Sequence, residues 1–328
     1  MIDRLSTFSN PKIIELINEH FIPVAENDWY QRRRQDAVGE FFRKVADQGP
    51  RKGKGGSTRQ GLYALTAGGT LLAYNNNRGP GKHEAMLAQA LEKWRSLPEG
   101  ERSPGRVKVA ALGKDQLDKK YARLMPEGTV VLKTSTRLLK ASGDRFAAIS
   151  EEENTHRWGH LAAHNQVWLQ AAEIDELRRL GGAAPVDLPI AVAYRLMRFH
   201  FLDNTRGEPN RWERDEISEY KLTVRTPEGK PLRRIIEGHA LLEHGEERGF
   251  DARVLGYLDL SPEGAELDAL KIVVLGDHWG SGTFTRGARP GRTPMGIAFS
   301  LAAEDDPARR IPPQGSNWLE GYFEADRR

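Results

Sequence analysis

Histidines at a regular spacing are the clearest sign of chemistry in this sequence. The segment THRWGHLAAHNQ holds His156, His160 and His164, each four residues after the one before. On a helix, residues four apart project from the same face, so an adjacent pair could bind one metal ion. The three together span about 12 Å at 1.5 Å per residue, which is too far for one ion to reach all three. The spacing therefore predicts a metal site that uses one adjacent pair and is completed from elsewhere.

Two further histidines could complete such a site. His200 lies in RFHFLDN on a predicted helix, and His278 lies in LGDHWG at the end of a predicted strand. Asp203 and Asp277 are candidates for further ligands or for acceptors that orient the imidazoles. A divalent ion of zinc, copper or iron suits such a set. The predicted metal ligands are His160, His164, His200 and His278. The alternative is that these histidines make ordinary hydrogen bonds in the core.

The second candidate is the glycine- and arginine-rich segment VLGDHWGSGTFTRGARPGRTPMG. Glycine lets backbone amides approach a ligand, and arginine forks hold carboxylate or phosphate groups. We therefore predict a binding rim for a small, anionic substrate beside His278. The predicted catalytic residues are Asp277, Arg289 and Arg292. The neighbouring segment FHFLDNTR is expected either to cap a helix end or to bring Asp203, Asn204 and Arg206 into the same cleft as His278. A plain loop between two strands is the alternative for the glycine-rich segment.

Composition excludes several kinds of site. The 328 residues contain no cysteine, which excludes disulfides, thiolate zinc sites, iron–sulfur ligation and cysteine nucleophiles. Lys+Arg number 49 and Asp+Glu 46, so the net charge is only +3 and nucleic acid is not an expected partner. The cationic excess is local, because residues 29–60 hold nine Lys or Arg against three Asp or Glu. Nucleic-acid binding by that segment is therefore a third, weaker hypothesis.

Apolar runs are short throughout the chain. All are far below the roughly 18–20 residues that a membrane helix needs. The first ten residues lack the charged and apolar regions of a secretory signal. We therefore expect no membrane association and a cytoplasmic location.

Hydrophobic periodicity predicts alternating elements in residues 1–97. The Asn10–Pro11 pair is typical of a helix start, and Ala67-Gly68-Gly69 is typical of a hairpin turn. The expected order is a helix at 11–20, a strand at 21–25, a helix at 35–48, a hairpin at 62–74 and a helix at 81–96.

This order resembles the later part of a thioredoxin-like domain. FSNPKIIELINEHFIPVAEN is similar to the region after the active-site turn in that family, and LYALTAGGTLLAY is similar to its final hairpin. The CxxC and the cis-proline of the family are absent, and its first strand would precede Met1. The resemblance implies a truncated, degenerate α/β domain. Such a domain does no dithiol redox chemistry and would serve as a scaffold or bind a protein partner.

A different organisation is expected after a Pro-, Gly- and charge-rich linker at 98–106. Residues 107–328 form the second predicted domain, which is α+β. Its helices come first, including one long helix over Glu151–Arg179 that carries the histidines and another over Pro189–Phe201. Strands from Tyr220 onward then form a mostly antiparallel sheet or a small barrel.

Two classes of function are consistent with these features. The first is a metal-binding protein or metal-dependent enzyme, either an oxidoreductase or a hydrolase, with its histidine site in the second domain. The second is a non-catalytic protein in which a thioredoxin-like module accompanies a domain that binds a ligand or a partner.

Overall fold

The computed structural model describes residues 7–52, 58–103, 112–122, 124–154, 159–264, 266–314 and 319–327. The chain divides into two compact units, an N-terminal unit of residues 3–124 and a C-terminal unit of residues 125–328. The division follows Leu124, whereas the sequence predicts a linker at 98–106, part of which, Glu99–Arg102, forms a short helix. Helices are frequent in the first unit and antiparallel strands in the second, which confirms the α+β class.

Five helices and one hairpin are described in the N-terminal unit. The side chain of Asn10 accepts hydrogen bonds from the backbone N–H groups of Lys12 and Ile13, and it thereby caps the first helix. Ile13, Leu72 and Met86 lie in the small core between helix and hairpin. The elements are α1 (Pro11–His20), α2 (Asp28–Gln31), α3 (Ala37–Ala46), β1 (Leu62–Leu65), β2 (Leu71–Asn75), α4 (Pro80–Ser96) and α5 (Glu99–Arg102).

The strand predicted at 21–25 does not form. This segment has no strand partner among the described residues, and Ile22 and Val24 are 92% and 78% exposed. A strand needs hydrogen bonds to a neighbour, so β-branched residues alone do not produce one. The sequence-based prediction of a strand here is therefore wrong.

The C-terminal unit is built on nine described strands. Helix α6 follows the third of these strands, and α7 follows the fourth. The five remaining strands pair in sequence order and form a long meander. The elements are β3 (Val130–Ser142), β4 (Arg145–Ala148), β5 (Ala163–Leu169), α6 (Ala171–Arg179), β6 (Val186–Asp187), α7 (Ile190–His200), β7 (Ile217–Arg225), β8 (Arg233–His244), β9 (Arg248–Leu260), β10 (Leu267–Gly280), β11 (Thr293–Leu301) and α8 (Leu319–Phe323).

All nine strands belong to one antiparallel sheet. Its order is β4-β3-β11-β10-β9-β8-β7-β6, and β5 pairs with the first half of β3. The pairing path does not return from β6 to β4 within the described residues, so the structure shows the sheet and not the barrel alternative. Strands also precede the helices, which corrects the expected order of helices first.

The predicted long histidine-bearing helix over Glu151–Arg179 is wrong. Residues 163–169 form β5, and the helix there begins only at Ala171. The carboxylate of Glu173 accepts a hydrogen bond from the backbone N–H of Gln170 at 2.8 Å, which marks the true start of the helix. Residues four apart share a face on a strand as well as on a helix, so the histidine spacing does not distinguish between the two.

The core of the C-terminal unit surrounds α7. Val192, Leu196 and Met197 of this helix pack with inward-facing residues of the meander, including Ile236 and Val274. The helix carries buried side chains around most of its circumference, as expected of a helix that is covered by other elements. The residues that follow α7, from Phe201 to Gly207, are all buried. Polar groups of this stretch must therefore find partners inside the protein.

Candidate functional site

The histidines of the first predicted motif do not converge. His160 lies in a turn, with its Nδ1 3.5 Å from the side-chain nitrogen of Asn154. His164 is exposed on β5, and strand alternation places it on the face opposite that of its buried neighbour Asn165. His156 lies outside the described residues.

His200 is the last residue of α7 and is enclosed in the core. Its Nε2 lies 2.9 Å from the hydroxyl oxygen of Tyr322. Burial, with a smaller effect from the nearby cation of Arg195, lowers the pKa of His200 to about 3. The imidazole is therefore neutral at ordinary pH.

Two arginines of α7 fix Tyr322 beside His200. The Nε of Arg195 donates to the carbonyl oxygen of Tyr322 at 2.9 Å, and Arg198 donates to that of Ala325 at 2.9 Å. The carbonyl groups at the end of the short helix α8 have no partners within the helix, so the guanidinium groups satisfy them. The C-terminal segment is thereby held against α7.

His278 lies near the end of β10 with its ring against Phe250. Burial lowers the pKa of His278 to about 4, while the carboxylate of Asp203 acts in the opposite direction and Arg206 and Arg289 lower it further. The expectation that Asp203 and Arg206 approach His278 agrees with these interactions.

The predicted catalytic residues are placed apart from one another. Asp277 is exposed, and strand alternation directs it to the face opposite His278. Arg289 donates to the carbonyl oxygens of Leu139 at 2.6 Å and Pro294 at 2.9 Å, so it holds the loop to the sheet. The guanidinium of Arg292 lies 3.9 Å from the ring centre of Trp279. The structure does not bring the three side chains to one point, and their catalytic role stays a prediction.

A buried ion pair occupies the place where the predicted cleft would lie. The side chains of Asp203 and Arg206 are each 2% exposed. Asp203 also accepts from the backbone N–H of Thr205 at 2.9 Å and from its hydroxyl at 2.7 Å. Arg206 donates to the carbonyl oxygens of Gly280 at 2.9 Å and Thr285 at 2.7 Å. We call this group the ionic cluster; it ties the segment after α7 to the loop after β10.

The described residues do not assemble the predicted metal centre. No group of three His, Asp or Glu side chains among them could hold a metal ion. A chain of ring contacts through Phe299, Phe201 and Phe250 separates His200 from His278. The residues therefore do not fit a shared ion, and the metal site stays a prediction.

A cavity of about 120 Å³ opens beside His200 in the C-terminal unit. The apolar part of its wall comes from Phe199, Leu202 and Pro209. Glu208 and Arg211 contribute one charged side chain of each sign. The uncharged polar part of the wall consists of Thr134, Asn165, His200, Asn204 and Gln314.

Three buried polar atoms at this cavity have no hydrogen-bond partner among the described residues. They are Nδ1 of His200, Oδ1 of Asn204 and Oε1 of Gln314. His200 is 4% exposed and Asn204 is 6% exposed, so solvent does not replace the missing partners freely. Buried polar groups in folded proteins are nearly always paired, and each exception requires an explanation.

Sequence reasoning found only part of this cavity. It selected His200 as a metal ligand and noted Asn204 beside it, but it did not select Thr134, Asn165 or Gln314. The strand partners Thr134 and Asn165 face each other across β3 and β5. Their pairing depends on β5, and the histidine spacing had predicted a helix in place of this strand. Gln314 lies in a loop, and no local pattern marks it.

The basic segment 29–60 is partly neutralised within its own unit. Arg34 donates to the carboxylate of Asp36 at 2.6 Å, and Arg59 lies 3.0 Å from Asp47. Burial opposes ionisation of Asp36, but hydrogen bonds from Arg34 and backbone N–H groups lower its pKa to about 2. These cations therefore serve internal ion pairs.

Comparison with protein-family models, with curated proteins and with solved structures gives no match. The resemblance of residues 1–97 to thioredoxin-like domains stays a prediction. Within the part of the chain that the structure describes, no helix combines the length and the apolar character needed to cross a bilayer.

Proposed function

We propose that the C-terminal unit binds a small polar molecule in the cavity beside His200. The observation that carries this proposal is a cavity of about 120 Å³ lined by His200, Asn204 and Gln314, each of which has a buried polar atom without a partner among the described residues. Leaving a buried donor or acceptor unsatisfied costs about 1–3 kcal/mol. A ligand recovers this free energy if the three side chains turn towards it, whereas an empty cavity does not.

The size of the cavity supports a ligand of about six non-hydrogen atoms. An engineered cavity of about 150 Å³ in another protein accommodates benzene, and the cavity here has a volume of about 120 Å³. Its wall combines apolar surface with a few convergent polar groups, as is typical of small-molecule sites. Glu208 is exposed while His200 is buried, so the cavity extends from solvent to the core.

The described residues support ligand binding in the cavity more strongly than they support a metal-dependent enzyme. The ring of His200 already pairs with Tyr322, and His278 lies beside the ionic cluster. A metal-dependent enzyme would need ligands that the described residues do not bring together. The binding proposal uses only side chains that line one cavity.

A matched pair of threonine variants tests the proposal. Thr134 lines the cavity, while Thr136 lies two residues along the same face of β3 and does not line it. Thr134→Leu fills the cavity, and Thr136→Leu adds the same volume elsewhere in the core. Overpacking costs about 1–3 kcal/mol at Thr136, where no cavity accepts the added volume, so a loss of binding confined to Thr134→Leu does not come from destabilisation.

Saturation-transfer NMR with a mixture of glycerol, glycerate, 3-amino-1,2-propanediol, acetamide and imidazole provides the measurement. We expect at least one compound to give a signal with the wild type and with Thr136→Leu but not with Thr134→Leu. The proposal fails if no compound binds, or if both variants bind equally well.

A further inference from the structure

One face of the C-terminal sheet carries exposed apolar side chains at its centre. The core takes its side chains from the even-numbered residues of β8–β10 and the odd-numbered residues of β11. The alternate residues of these strands, with their ladder partners on β3 and β7, form the opposite face, which we call the outer face. Leu255 and Val273 are paired there and are 63% and 51% exposed. Exposed apolar residues at the centre of a sheet indicate a surface that a further layer covers.

The outer-face residues of β10 form a pattern that complements its own reverse. In order along the strand they include Lys271, Val273, Leu275 and Asp277. A point midway between Val273 and Leu275 thus has an apolar residue on each side, then a cation on one side and an anion on the other. We consider a second copy related by a two-fold axis that runs through this point, across the strands. Lys271 of each copy then faces Asp277 of the other, and Val273 faces Leu275.

The neighbouring strands β7 and β8 follow the same rule about the same axis. Their pairing registers fix which of their residues lie level with those of β10. Residues at equal distances from the axis include one pair of opposite charges, one imidazole with a carboxylate and one apolar pair. The pairs that face each other between copies are Glu219–Arg225, His239–Glu237 and Leu241–Ile235.

β9 contributes no pair of like charges to this arrangement. Arg253 faces Leu255, and the alkyl part of an arginine side chain packs on apolar surface. Asp251 faces Tyr257, whose hydroxyl group can donate to a carboxylate. The outer face is therefore compatible with its own copy on every strand from β7 to β10.

The charged residues nearest the apolar centre of β10 are free to make contacts between copies. Lys271 and Asp277 are exposed, and their side chains have no ion pair or hydrogen bond among the described residues. They lie six residues apart on one strand, which corresponds to about 20 Å. Within one copy they are too far apart to pair with each other.

The balance of charge favours a second copy over nucleic acid or an anionic membrane. Both of those partners carry charge of one sign, so they bind surfaces with an excess of cations. On the outer face of β7–β10, cations and anions are interspersed in nearly equal numbers. The cations are Lys221, Arg225, Arg233, Arg253 and Lys271, and the anions are Glu219, Glu237, Glu243, Asp251, Asp259 and Asp277.

The size of the outer face meets the requirement of a stable dimer. The five neighbouring strands β3, β11, β10, β9 and β8 span about 24 Å at 4.8 Å each, and residues 269–279 extend about 33 Å along β10. The resulting area of about 800 Å² equals the area per partner of a standard interface. The axis stacks each strand on its own copy, which gives the aligned packing of a β-sandwich.

We propose that two copies of the chain pair through the outer faces of their C-terminal sheets, about a two-fold axis between Val273 and Leu275. The inference goes beyond the proposed function, because the cavity residue Thr134 is buried on the other side of the sheet, level with the core residue Phe299.

A charge swap tests the position of the axis. Lys271→Glu sets two carboxylates against each other, so the dimer dissociation constant should rise about tenfold or more above that of the wild type. Asp277→Lys should have the same effect by setting two cations together. Sedimentation equilibrium of the full chain from about 1 to 100 µM provides the measurement. Far-UV circular dichroism confirms that each variant is folded.

Restored complementarity should restore the dimer. The double variant Lys271→Glu/Asp277→Lys sets unlike charges against each other again, and so does an equimolar mixture of the two single variants. We expect both to have a dissociation constant within about threefold of the wild-type value.

Val273→Asp tests the apolar centre. It buries a charge beside the axis in both copies, so the dissociation constant should rise about 100-fold or more. Val186→Asp is the control, because Val186 is an exposed valine of the same unit that is paired with the core residue Val224 and lies outside the outer face. This control should leave the dissociation constant unchanged.

Three results would overturn the proposal. A wild type that remains monomeric to about 100 µM would leave the outer face to a different partner. A dimer that is unaffected by Lys271→Glu and Val273→Asp would use another surface. Folded single variants that stay monomeric when mixed would exclude the contact between Lys271 and Asp277. Recovery of the dimer in the mixture supports the proposal, because each variant alone lacks it.

Discussion

The cavity and the ionic cluster take interleaved side chains from one short segment, but the buried polar groups of the two regions are satisfied to different degrees. Residues 200–206 supply His200 and Asn204 to the cavity and Asp203 and Arg206 to the ionic cluster. Both regions bury polar groups beside a histidine with a lowered pKa. In the ionic cluster, Asp203 and Arg206 find their partners in the protein. Three polar atoms of the side chains that line the cavity find none among the described residues.

Comparison of the two regions distinguishes buried polar groups that stabilise the fold from those that are available to a ligand. A fully paired ion pair fixes two loops against each other, and removal of one partner leaves a buried charge. A buried amide or imidazole atom without a partner lowers the stability of the fold, and its persistence supports a role in binding. Removal of a paired group should therefore lower stability, whereas removal of an unpaired group should raise it.

The largest effect is expected in the ionic cluster. Arg206→Met leaves the carboxylate of Asp203 buried without its cation, so the free energy of unfolding should fall by about 3–5 kcal/mol. Urea denaturation measures the change. Arg225→Met is the control, because the Arg225–Glu237 pair is about one-third exposed and should contribute about 0–1 kcal/mol. Equal losses in the two variants would contradict the distinction between a buried and an exposed pair.

Acid should destabilise the C-terminal unit through its two buried histidines. Each has a pKa lowered from 6.5, to about 4 in His278 and about 3 in His200. The unfolded chain therefore binds more protons below pH 6.5, and stability falls as the pH falls towards the folded-state values.

The contribution of His278 to this pH dependence can be isolated. Between pH 7 and pH 5 its loss amounts to about 2 kcal/mol, at 1.36 kcal/mol per pKa unit. His278→Asn should reduce the fall in unfolding free energy over this range by that amount, as measured by urea denaturation at several pH values. An unchanged slope would show that the folded-state pKa of His278 is not lowered.

The smallest effects are expected from two asparagines of the cavity. Oδ1 of Asn204 has no partner within the described ranges, so Asn204→Leu should raise the free energy of unfolding by about 1 kcal/mol in the absence of ligand. Oδ1 of Asn165 accepts from the backbone N–H groups of Gln166 and Gln314, each at 2.9 Å. Asn165→Leu should therefore lower the same free energy by about 1–3 kcal/mol.

These two variants are each other's control. Both replace an asparagine of one cavity by a leucine of similar size, and only the hydrogen bonding differs. Thermal denaturation compares them directly. Destabilisation by Asn204→Leu equal to that by Asn165→Leu would mean that Oδ1 of Asn204 has a partner.

The fold was predictable wherever a local pattern had a single interpretation. The helix at 11–20 has an N-cap and a first-turn proline, and its bounds agree with the prediction. The strands after residue 217 alternate regularly and are separated by glycine and proline turns, as predicted. The strand at 163–169 was mistaken for a helix because the four-residue spacing that leads to His164 fits one face of a helix as well as one face of a strand. The segment 21–25 was mistaken for a strand because composition does not reveal a missing partner.

The sequence could predict the chemical types of the residues at the candidate site but not the groups that they contact. His200 and His278 stood out as ionisable residues beside apolar segments, and both are buried with lowered pKa values. Which groups they meet depends on contacts across long stretches of sequence. Tyr322 is 122 residues from His200, and Gln314 is 149 residues from Asn165. Local patterns carry no information on such distant pairs.

By itself, the sequence determined that this protein has no cysteine chemistry and combines helices with an antiparallel sheet, and it directed attention to imidazole, carboxylate and guanidinium groups. These properties follow from composition and from short-range periodicity. Only the tertiary structure decided that Arg206 pairs with Asp203, while Nδ1 of His200 and Oδ1 of Asn204 have no partner in the part of the chain that the structure describes. The reason is that satisfaction of a buried polar group depends on distant backbone and side-chain atoms, which come together only when the sheet packs against α7.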